Sequence, residues 1–363
     1  MCPLQRPPGE GDLRGPCPGL NILANYGYIN RNGYDTTVNI ILASNKVFGM
    51  GIDLATAIAG YCAVVAGDIL TLGLGLTGDN GILGSLLGDG LLGKPKGLDW
   101  SHYRFESDVS PTRNDVWYDN DPASIHIERF TSLYNRGLTK PGKGGIDLTV
   151  LTPHRQEWTR HSIANNPYYW NGPFTGLAVV TATHIFTYRF HANYTTGSLD
   201  GYLDGEALKL WEGVSGEPGN FKFTYGSERI PPNWYRRPAG FDYGLKEFSV
   251  DALWTLEQVP DLAAFGGNTG KVNSFVDVNV TDVTGGVLTA TSLLEGNNML
   301  CFAFATLHEF IPDLTRGLVK NTLQAVNQIT DALAPVFAAL DCPQLSKLDA
   351  SYYDQFPSRR SAI

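Results

Sequence analysis

The chain has 363 residues, with 27 lysines and arginines against 36 aspartates and glutamates, and a formal net charge of −9. An acidic chain does not attract phosphate backbones or anionic lipids, so we expect neither nucleic acid nor a membrane as its partner. Hydrophobic residues make up 43% and charged residues 17%, which allows a large core and excludes global disorder. The five cysteines leave at least one thiol outside any intramolecular disulfide.

Apolar residues recur mainly with the period of an α-helix, which predicts a mostly α single domain of about ten helices with long glycine- and proline-rich loops. Residues 1–16 predict an extended arm, 17–345 the domain and 346–363 a C-terminal tail. Loops are predicted at 72–98, which holds nine glycines, and at 213–245. A small β-hairpin is predicted within 272–287. The predicted helices follow Cys17 and then cover 36–65 with an interruption at 49–51, 122–136, 147–165, 174–190, 247–256, 299–315 and 317–340.

Cys17 lies between Pro16 and Pro18 at the start of the first predicted helix. Proline suits the first helical position, and the unpaired amides of a helix N-terminus stabilise a thiolate. Such a thiolate could serve as a nucleophile, a redox centre or a metal ligand. The alternative is a small buried side chain without chemistry.

The segment DLRGPCPGLNILANYGYINRNG, residues 12–33, resembles the proximal haem loop of the fungal haem-thiolate peroxidases, the chloroperoxidase and unspecific peroxygenase family. The resemblance implies the fold of that family and a haem b whose axial ligand is Cys17. It places Pro16, Pro18 and Leu20 around the ligand and Phe105 near the distal pocket. A thiolate ligand pushes electron density onto the iron and favours cleavage of the O–O bond.

A second motif, Glu106-Ser-Asp-Val-Ser110, concentrates oxygen ligands of the kind that Mg²⁺ and Ca²⁺ prefer. Without further context, a capped, solvated loop explains it better. Its similarity to the Glu-Gly-Asp-x-Ser motif of the same family implies a Mg²⁺ beside a haem propionate. The Glu106 carboxylate, the Ser107 carbonyl and the Ser110 hydroxyl would be its ligands.

Peroxide cleavage needs a group that moves a proton between the two oxygens, and the family uses a glutamate after an Asn-Pro turn. Here no Asp or Glu occurs between Glu157 and Asp200. His184 is the candidate distal acid–base, because a neutral imidazole can shuttle a proton, and Asp108 is a weaker one. The alternative for His184 is a satisfied core histidine. We expect His191 at the surface, since it lies near a glycosylation acceptor.

The resemblance also implies a disulfide between Cys301 and Cys342, although two buried free thiols remain an alternative. A disulfide indicates an oxidising compartment, and the acceptor sequences at Asn193 and Asn279 are compatible with secretion. No apolar leader follows Met1, so we expect a processed or recombinant form of a secreted glycoprotein. Cys62 is expected in the core.

Together these features predict peroxide-dependent oxidation of a small aromatic or apolar substrate through a ferryl intermediate. Peroxygenase, peroxidase and haloperoxidase reactions all share that intermediate, and a role in fungal secondary metabolism would suit the family. The chain would be a monomer or a homodimer. One alternative is a haem protein with lost or isomerase-like activity, since the distal glutamate is absent. Another is a metal-dependent hydrolase at Glu106 and Asp108.

Overall fold

A computed structural model describes residues 4–67, 73–76, 97–195, 198–303, 305–306, 342 and 348–360. In these residues the fold is mostly helical, as predicted. The α-helices are α1 Pro18–Asn25, α2 Thr37–Phe48, α3 Ile52–Val65, α4 Val116–Asp119, α5 Ile127–Thr139, α6 Leu148–Asn165, α7 Thr181–Arg189, α8 Gly205–Trp211, α9 Leu245–Gln258, α10 Val280–Val283, α11 Ala290–Leu293 and α12 Pro357–Arg360.

Local sequence signals set several helix ends. The Thr36 hydroxyl accepts a hydrogen bond from the Asn39 amide at the start of α2, and Gly49 ends this helix with a φ of +69°, which glycine adopts without strain. The predicted interruption at 49–51 is therefore confirmed. Asp147 caps α6 through the Thr149 amide, as its position before the helix predicted.

A π-helical turn, Thr175–Val180, leads directly into α7. Together these two elements account for the single predicted helix at 174–190. The helix predicted from 299 begins inside the described residues, where 298–303 are helical, while most of it and the helix predicted at 317–340 lie outside them. No helix in the described residues is long and apolar enough to cross a membrane.

The strands are short and form three small antiparallel sheets. The strands are β1 Tyr34–Thr36, β2 Gly73–Gly75, β3 Trp170–Asn171, β4 Val214–Ser215, β5 Lys222–Phe223, β6 Gly266–Gly267 and β7 Val276–Asp277. β1 pairs with β2, β4 with β5, and β6 lies between β3 and β7.

The hairpin predicted within 272–287 is wrong. β7 pairs with β6 rather than with a following strand, and α10 takes up the polar–valine pattern that suggested alternation. A hairpin does occur at β4–β5, inside the segment 213–245 that the sequence predicts as loop, and α8 precedes it. α8 has only seven residues, too few for a hydrophobic period to be readable.

The core forms where the longer helices meet. α2 packs against α3, and α6 packs against α5 on one side and α7 on the other. α7 in turn packs against α9. This arrangement places α1, which follows Cys17, beside α2, so the proline-flanked cysteine borders the same core that α7 enters.

Candidate active site

Cys17 stands immediately before α1, with extended backbone and Pro18 in the first turn. It is a free, partly exposed cysteine, and the backbone amides of Leu20 and Gly19 lie near its sulfur, where they act to lower the pKa of the thiol. The close approach of Gly15 to the Leu76 carbonyl, where a Cβ would lie 2.1 Å from the oxygen, leaves room only for glycine before Pro16. The loop thus presents the sulfur in one fixed place.

Asn21 fastens this loop from inside α1. The Gly15 amide donates to its Oδ1 at 3.0 Å, and its Nδ2 donates to the Gly15 carbonyl at 2.9 Å. The same Nδ2 donates to Glu228 Oε1 at 2.7 Å. Glu228 is buried, and this burial raises the pKa of its carboxyl group. Sequence reasoning missed Glu228, because it is 207 residues away from Asn21.

A buried ion pair lies near Cys17. The Arg113 Nη1 donates to Glu212 Oε2 at 2.8 Å, and both side chains are buried. The Thr112 hydroxyl donates to the same oxygen at 3.2 Å. Both charges act on the Cys17 sulfur, Arg113 favouring its thiolate and Glu212 opposing it. Glu212 therefore reduces, without cancelling, the effect of Arg113 on the sulfur.

The chemistry of Cys17 suits a metal ligand better than a free nucleophile. Although Cys17 is partly exposed, the protein around the sulfur excludes enough water to raise the pKa of the thiol. The amides of Leu20 and Gly19 and the charge of Arg113 compensate only in part. A thiol with a raised pKa is a poor nucleophile at neutral pH, whereas a metal ion deprotonates a coordinating thiol outright. The two amide donors would then tune a metal-bound sulfur.

Aromatic side chains surround this region. A Cβ on Gly19 would lie 3.6 Å from Phe48 Cε2 and 3.9 Å from Cys17 Sγ, so Phe48 borders the cysteine loop. Phe48 contacts Phe190, which contacts Phe186 of α7 at 4.9 Å between ring centroids. Phe186 belongs to the partly exposed face of α7, so this face lies on the Cys17 side of the core.

Phe105 forms a second aromatic group with Tyr61 and Phe174. Its ring centroid lies 5.8 Å from that of Tyr61, and the Tyr61 centroid lies 4.5 Å from that of Phe174. The neighbouring Cys62 is buried, as predicted for a core residue. Burial raises the pKa of Cys62, and so does the charge of Cys17, which indicates that α3 also borders the cysteine.

The acidic motif is organised around His102, which the resemblance did not include. The His102 Nδ1 contacts Glu106 Oε2, and its Nε2 lies 3.3 Å from Asp108 Oδ1. Burial lowers the pKa of His102, but the two carboxylates outweigh this effect and raise it to about 10. The imidazolium therefore takes up the Glu106 carboxylate that the resemblance assigns to Mg²⁺. The Ser110 side chain remains partly exposed.

Asp108 lies deeper than Glu106. The Tyr103 hydroxyl donates to Asp108 Oδ2 at 2.6 Å, and the Asn166 Nδ2 donates to it at 3.2 Å. Burial and the nearby Asp115 charge raise the pKa of Asp108 to about 6. No cluster of three or more His, Cys, Asp or Glu side chains able to hold a metal ion occurs in the part of the chain that the structure describes.

His184 lies on the buried face of α7. Its Nδ1–H donates to the Val180 carbonyl at 2.9 Å, and its Nε2 has no hydrogen-bond partner among the described residues. Burial, together with the Arg155 charge, holds the pKa of His184 well below its usual range. The ring is therefore neutral, with a free lone pair on Nε2. The partly exposed face of α7 carries Thr183 and Phe186 instead.

Other sequence predictions receive definite positions. His191 is buried and stacks on Trp211 with ring centroids 4.5 Å apart, so the expectation that it lies at the surface is wrong. The flat face of the His191 imidazole stacks on the Trp211 indole. The glycosylation acceptor next to His191 in the sequence gives no sign of this contact. Cys301 and Cys342 form a disulfide. Asn193 is partly exposed and Asn279, which caps α10, is exposed.

Comparison with known proteins gives a consistent result. The model of the family described as "Peroxidase, family 2" matches residues 5–239. The chain is 41% identical to an aromatic peroxidase of Fusarium equiseti over 93% of this chain and 77% of that protein. It is 38% identical to a dothistromin biosynthesis peroxidase of Dothistroma septosporum over 96% and 83%, and 32% identical to an aromatic peroxygenase of Cyclocybe aegerita over 76% and 67%.

Proposed function

Because the chain belongs to family 2 of the peroxidases, the fungal haem-thiolate peroxidases, we propose that it is a haem-thiolate enzyme using hydrogen peroxide to oxidise a small organic substrate. The observation that carries the proposal is Cys17: a free thiol at a helix start, faced by the amides of Leu20 and Gly19. When bound there, haem b supplies the iron that activates peroxide. Asn21 and Glu228 keep the loop in place.

For the proton transfer we assign His184 first and Asp108 second. The neutral His184 ring has Nδ1–H bound to Val180 and a free Nε2 lone pair, which is the protonation state that a general base requires. Its Nε2 is buried, however, so peroxide can reach it only if the side chain rotates toward the partly exposed face of α7. Asp108, with a pKa raised to about 6, would otherwise serve.

For the divalent cation we assign the Glu106 carboxylate, the Ser107 carbonyl and the Ser110 hydroxyl. A Mg²⁺ at this position competes with His102 for Glu106. Binding would therefore displace His102 toward Asp108, its second carboxylate partner. Metal analysis of the purified enzyme, with Glu106→Gln as the comparison, tests this assignment: equal magnesium in both proteins argues against it.

The names of the relatives point to aromatic compounds, and one of them to the synthesis of a fungal secondary metabolite. We assign this chain an aromatic substrate, which would bind against aromatic side chains such as Phe105 and Phe186. Oxygen insertion, one-electron oxidation and halide oxidation are separated by product analysis with naphthalene, a phenol and chloride. The Cys301–Cys342 disulfide supports a secreted protein, with glycans at Asn193 and Asn279.

The decisive experiment is spectroscopic. The purified protein is reduced and exposed to carbon monoxide, and a strongly red-shifted Soret band is expected from thiolate-ligated haem. Cys17→Ala should abolish this band, whereas Cys62→Ala, the control at the neighbouring thiol, should keep it. A histidine-type band in the wild type, or a red-shifted band that survives in Cys17→Ala, contradicts the proposal.

The buried His184 also favours a second candidate, a haem protein of this fold with little peroxide chemistry. His184→Ala separates the two. A loss of peroxide turnover with an unchanged Soret band supports the enzyme with His184 as its base. Negligible turnover already in the wild type supports the second candidate.

A further inference from the structure

A cavity of about 330 Å³ lies between α6 and the chain segment 261–275. Its volume is within the range of sites for small organic ligands. Ile163, Leu262 and Phe275 provide apolar lining, Arg155 and Tyr169 are its deeply buried members, and the exposed Arg160 and Asp261 belong to the part nearest solvent. Its lining includes neither Cys17 nor the residues identified beside it, so this cavity is separate from the candidate active site around Cys17.

Arg155 is the unusual residue of this lining. It is only 1% exposed, its Nη1 donates to Thr181 Oγ1 at 2.7 Å, and its Nη2 donates to the Gly176 carbonyl at 3.0 Å. Its Nε has no partner, and no carboxylate forms an ion pair with it, among the residues that the structure describes. Burial lowers the pKa of Arg155 to about 10, so the group still carries its charge at neutral pH.

A buried cation without a counter-ion is unfavourable, because the protein gives up its hydration without receiving an opposite charge. Two other buried arginines are paired, Arg113 with Glu212 and Arg129 with Asp115, whereas Arg14 and Arg237 bind amide or carbonyl oxygens and have no ion pair among the described residues. An anion in the cavity would supply to Arg155 the opposite charge that the chain supplies to Arg113 and Arg129.

Asp261 does not fill that role. It is exposed, and its Oδ2 accepts hydrogen bonds from Gln156 Nε2 at 3.1 Å and Arg160 Nη2 at 3.4 Å. Its charge is therefore offset at the rim. Exposed ion pairs of this kind contribute at most about 1 kcal/mol, so the rim can rearrange to admit a ligand.

We propose that this cavity binds a small organic carboxylate, with the anionic group on Arg155 and the apolar body against Ile163, Leu262 and Phe275. The apolar wall selects such a molecule over an inorganic anion, because only an organic body buries this surface. Arg155 would connect the ligand to the turn Thr175–Val180 and to α7, because its guanidinium binds the Gly176 carbonyl and the Thr181 hydroxyl. The proposal does not depend on haem or peroxide chemistry.

The test is calorimetric titration of the full-length protein, as purified with any bound cofactor, with sodium benzoate, benzamide and sodium formate. Benzoate is expected to bind at least about tenfold more tightly than benzamide. Benzamide is its uncharged analogue and cannot form an ion pair with the buried guanidinium of Arg155. Formate should bind more weakly than benzoate for lack of an apolar body. Equal binding of benzamide, equal binding of formate, or no binding of benzoate overturns the proposal.

Two variants locate the site. Ala264→Phe fills the cavity from its lining without touching Arg155 and should abolish benzoate binding, whereas Ala263→Phe, one residue outside the lining, should leave it unchanged. Arg155→Met should remove the preference for benzoate over benzamide. Benzoate binding that persists in Ala264→Phe, including binding that shifts the Soret band of a bound haem, contradicts the assignment. If Arg155→Met does not fold, the Ala264→Phe comparison decides.

Discussion

Two buried arginines mark two sides of this molecule. On the Cys17 side, Arg113 pairs with Glu212, and Asn21 joins Glu228 to the cysteine loop. On the side where α6 meets α7, Arg155 binds only a hydroxyl and a carbonyl, and the neighbouring His184 has a free Nε2. On the first side the buried charge of Arg113 has its counter-ion within the chain, although Arg113 Nε and Nη2 and Glu228 Oε2 have no hydrogen-bond partner among the described residues. On the second side the buried charge of Arg155 has no counter-ion among those residues, and His184 Nε2 can still take a proton.

The largest expected effect comes from breaking the buried ion pair on the Cys17 side. Arg113→Met leaves Glu212 buried without its partner, which should lower the free energy of unfolding by about 3 to 5 kcal/mol, measured by urea denaturation. The double variant Arg113→Met/Glu212→Leu removes both charges and should recover most of this loss. If the single variant loses less than about 1 kcal/mol, the pair is not the structural element that its burial indicates.

A smaller loss is expected for Asn21→Ala. This change removes three buried hydrogen bonds, two to Gly15 and one to Glu228, and should cost about 2 to 3 kcal/mol of unfolding free energy. Because these bonds fix the Cys17 loop, the carbon monoxide Soret band should also broaden or weaken. Asn135→Ala, an exposed asparagine on α5, is the control and should change neither quantity. An unaltered band in Asn21→Ala would show that α1 alone positions the sulfur.

These contacts also show what sequence can and cannot predict. The prolines around Cys17, the glycines at 49 and 51 and the Asp147 cap act on their immediate neighbours, so the chain itself indicates them. Glu212 lies 99 residues from Arg113, and nothing in either neighbourhood identifies the partner. The position of His191 escapes prediction for the same reason, since its ring stacks on Trp211 of α8. Local signals predict turns and helix ends, while packing decides which charges meet.

A pH titration compares the buried histidines of the two sides. Burial lowers the pKa of His191 to about 3, on the Cys17 side, and that of His154 to about 4, on the α6 side. Unfolded histidine binds its proton near pH 6.5, so the folded chain binds fewer protons between these values. As the pH drops below 6.5, each of these histidines should therefore lower the free energy of unfolding by about 1.4 kcal/mol for every pH unit.

His191→Phe keeps an aromatic ring on Trp211 and removes the titrating group. Its unfolding free energy should decline less steeply than that of the wild type between pH 6.5 and 4, measured by denaturant titration at each pH. Near pH 8 histidine is neutral in both the folded and the unfolded chain. The difference in unfolding free energy between His191→Phe and the wild type should therefore not change with pH there. Parallel curves throughout would show that His191 takes up its proton over the same pH range in the folded and unfolded chains, against its buried position.

The smallest effect is expected at Arg155, and it tests the contrast directly. Arg155→Met removes two hydrogen bonds and an uncompensated buried charge. Replacing buried ionic groups by apolar side chains of similar volume is often neutral or stabilising. The free energy of unfolding should therefore change by less than about 1.5 kcal/mol, several-fold less than for Arg113→Met. A loss as large as that of Arg113→Met would mean that Arg155 holds α6 to α7 as a structural residue. A small loss means that the fold does not require Arg155, although burying its charge is unfavourable. This result is expected of a residue whose role is to bind a ligand.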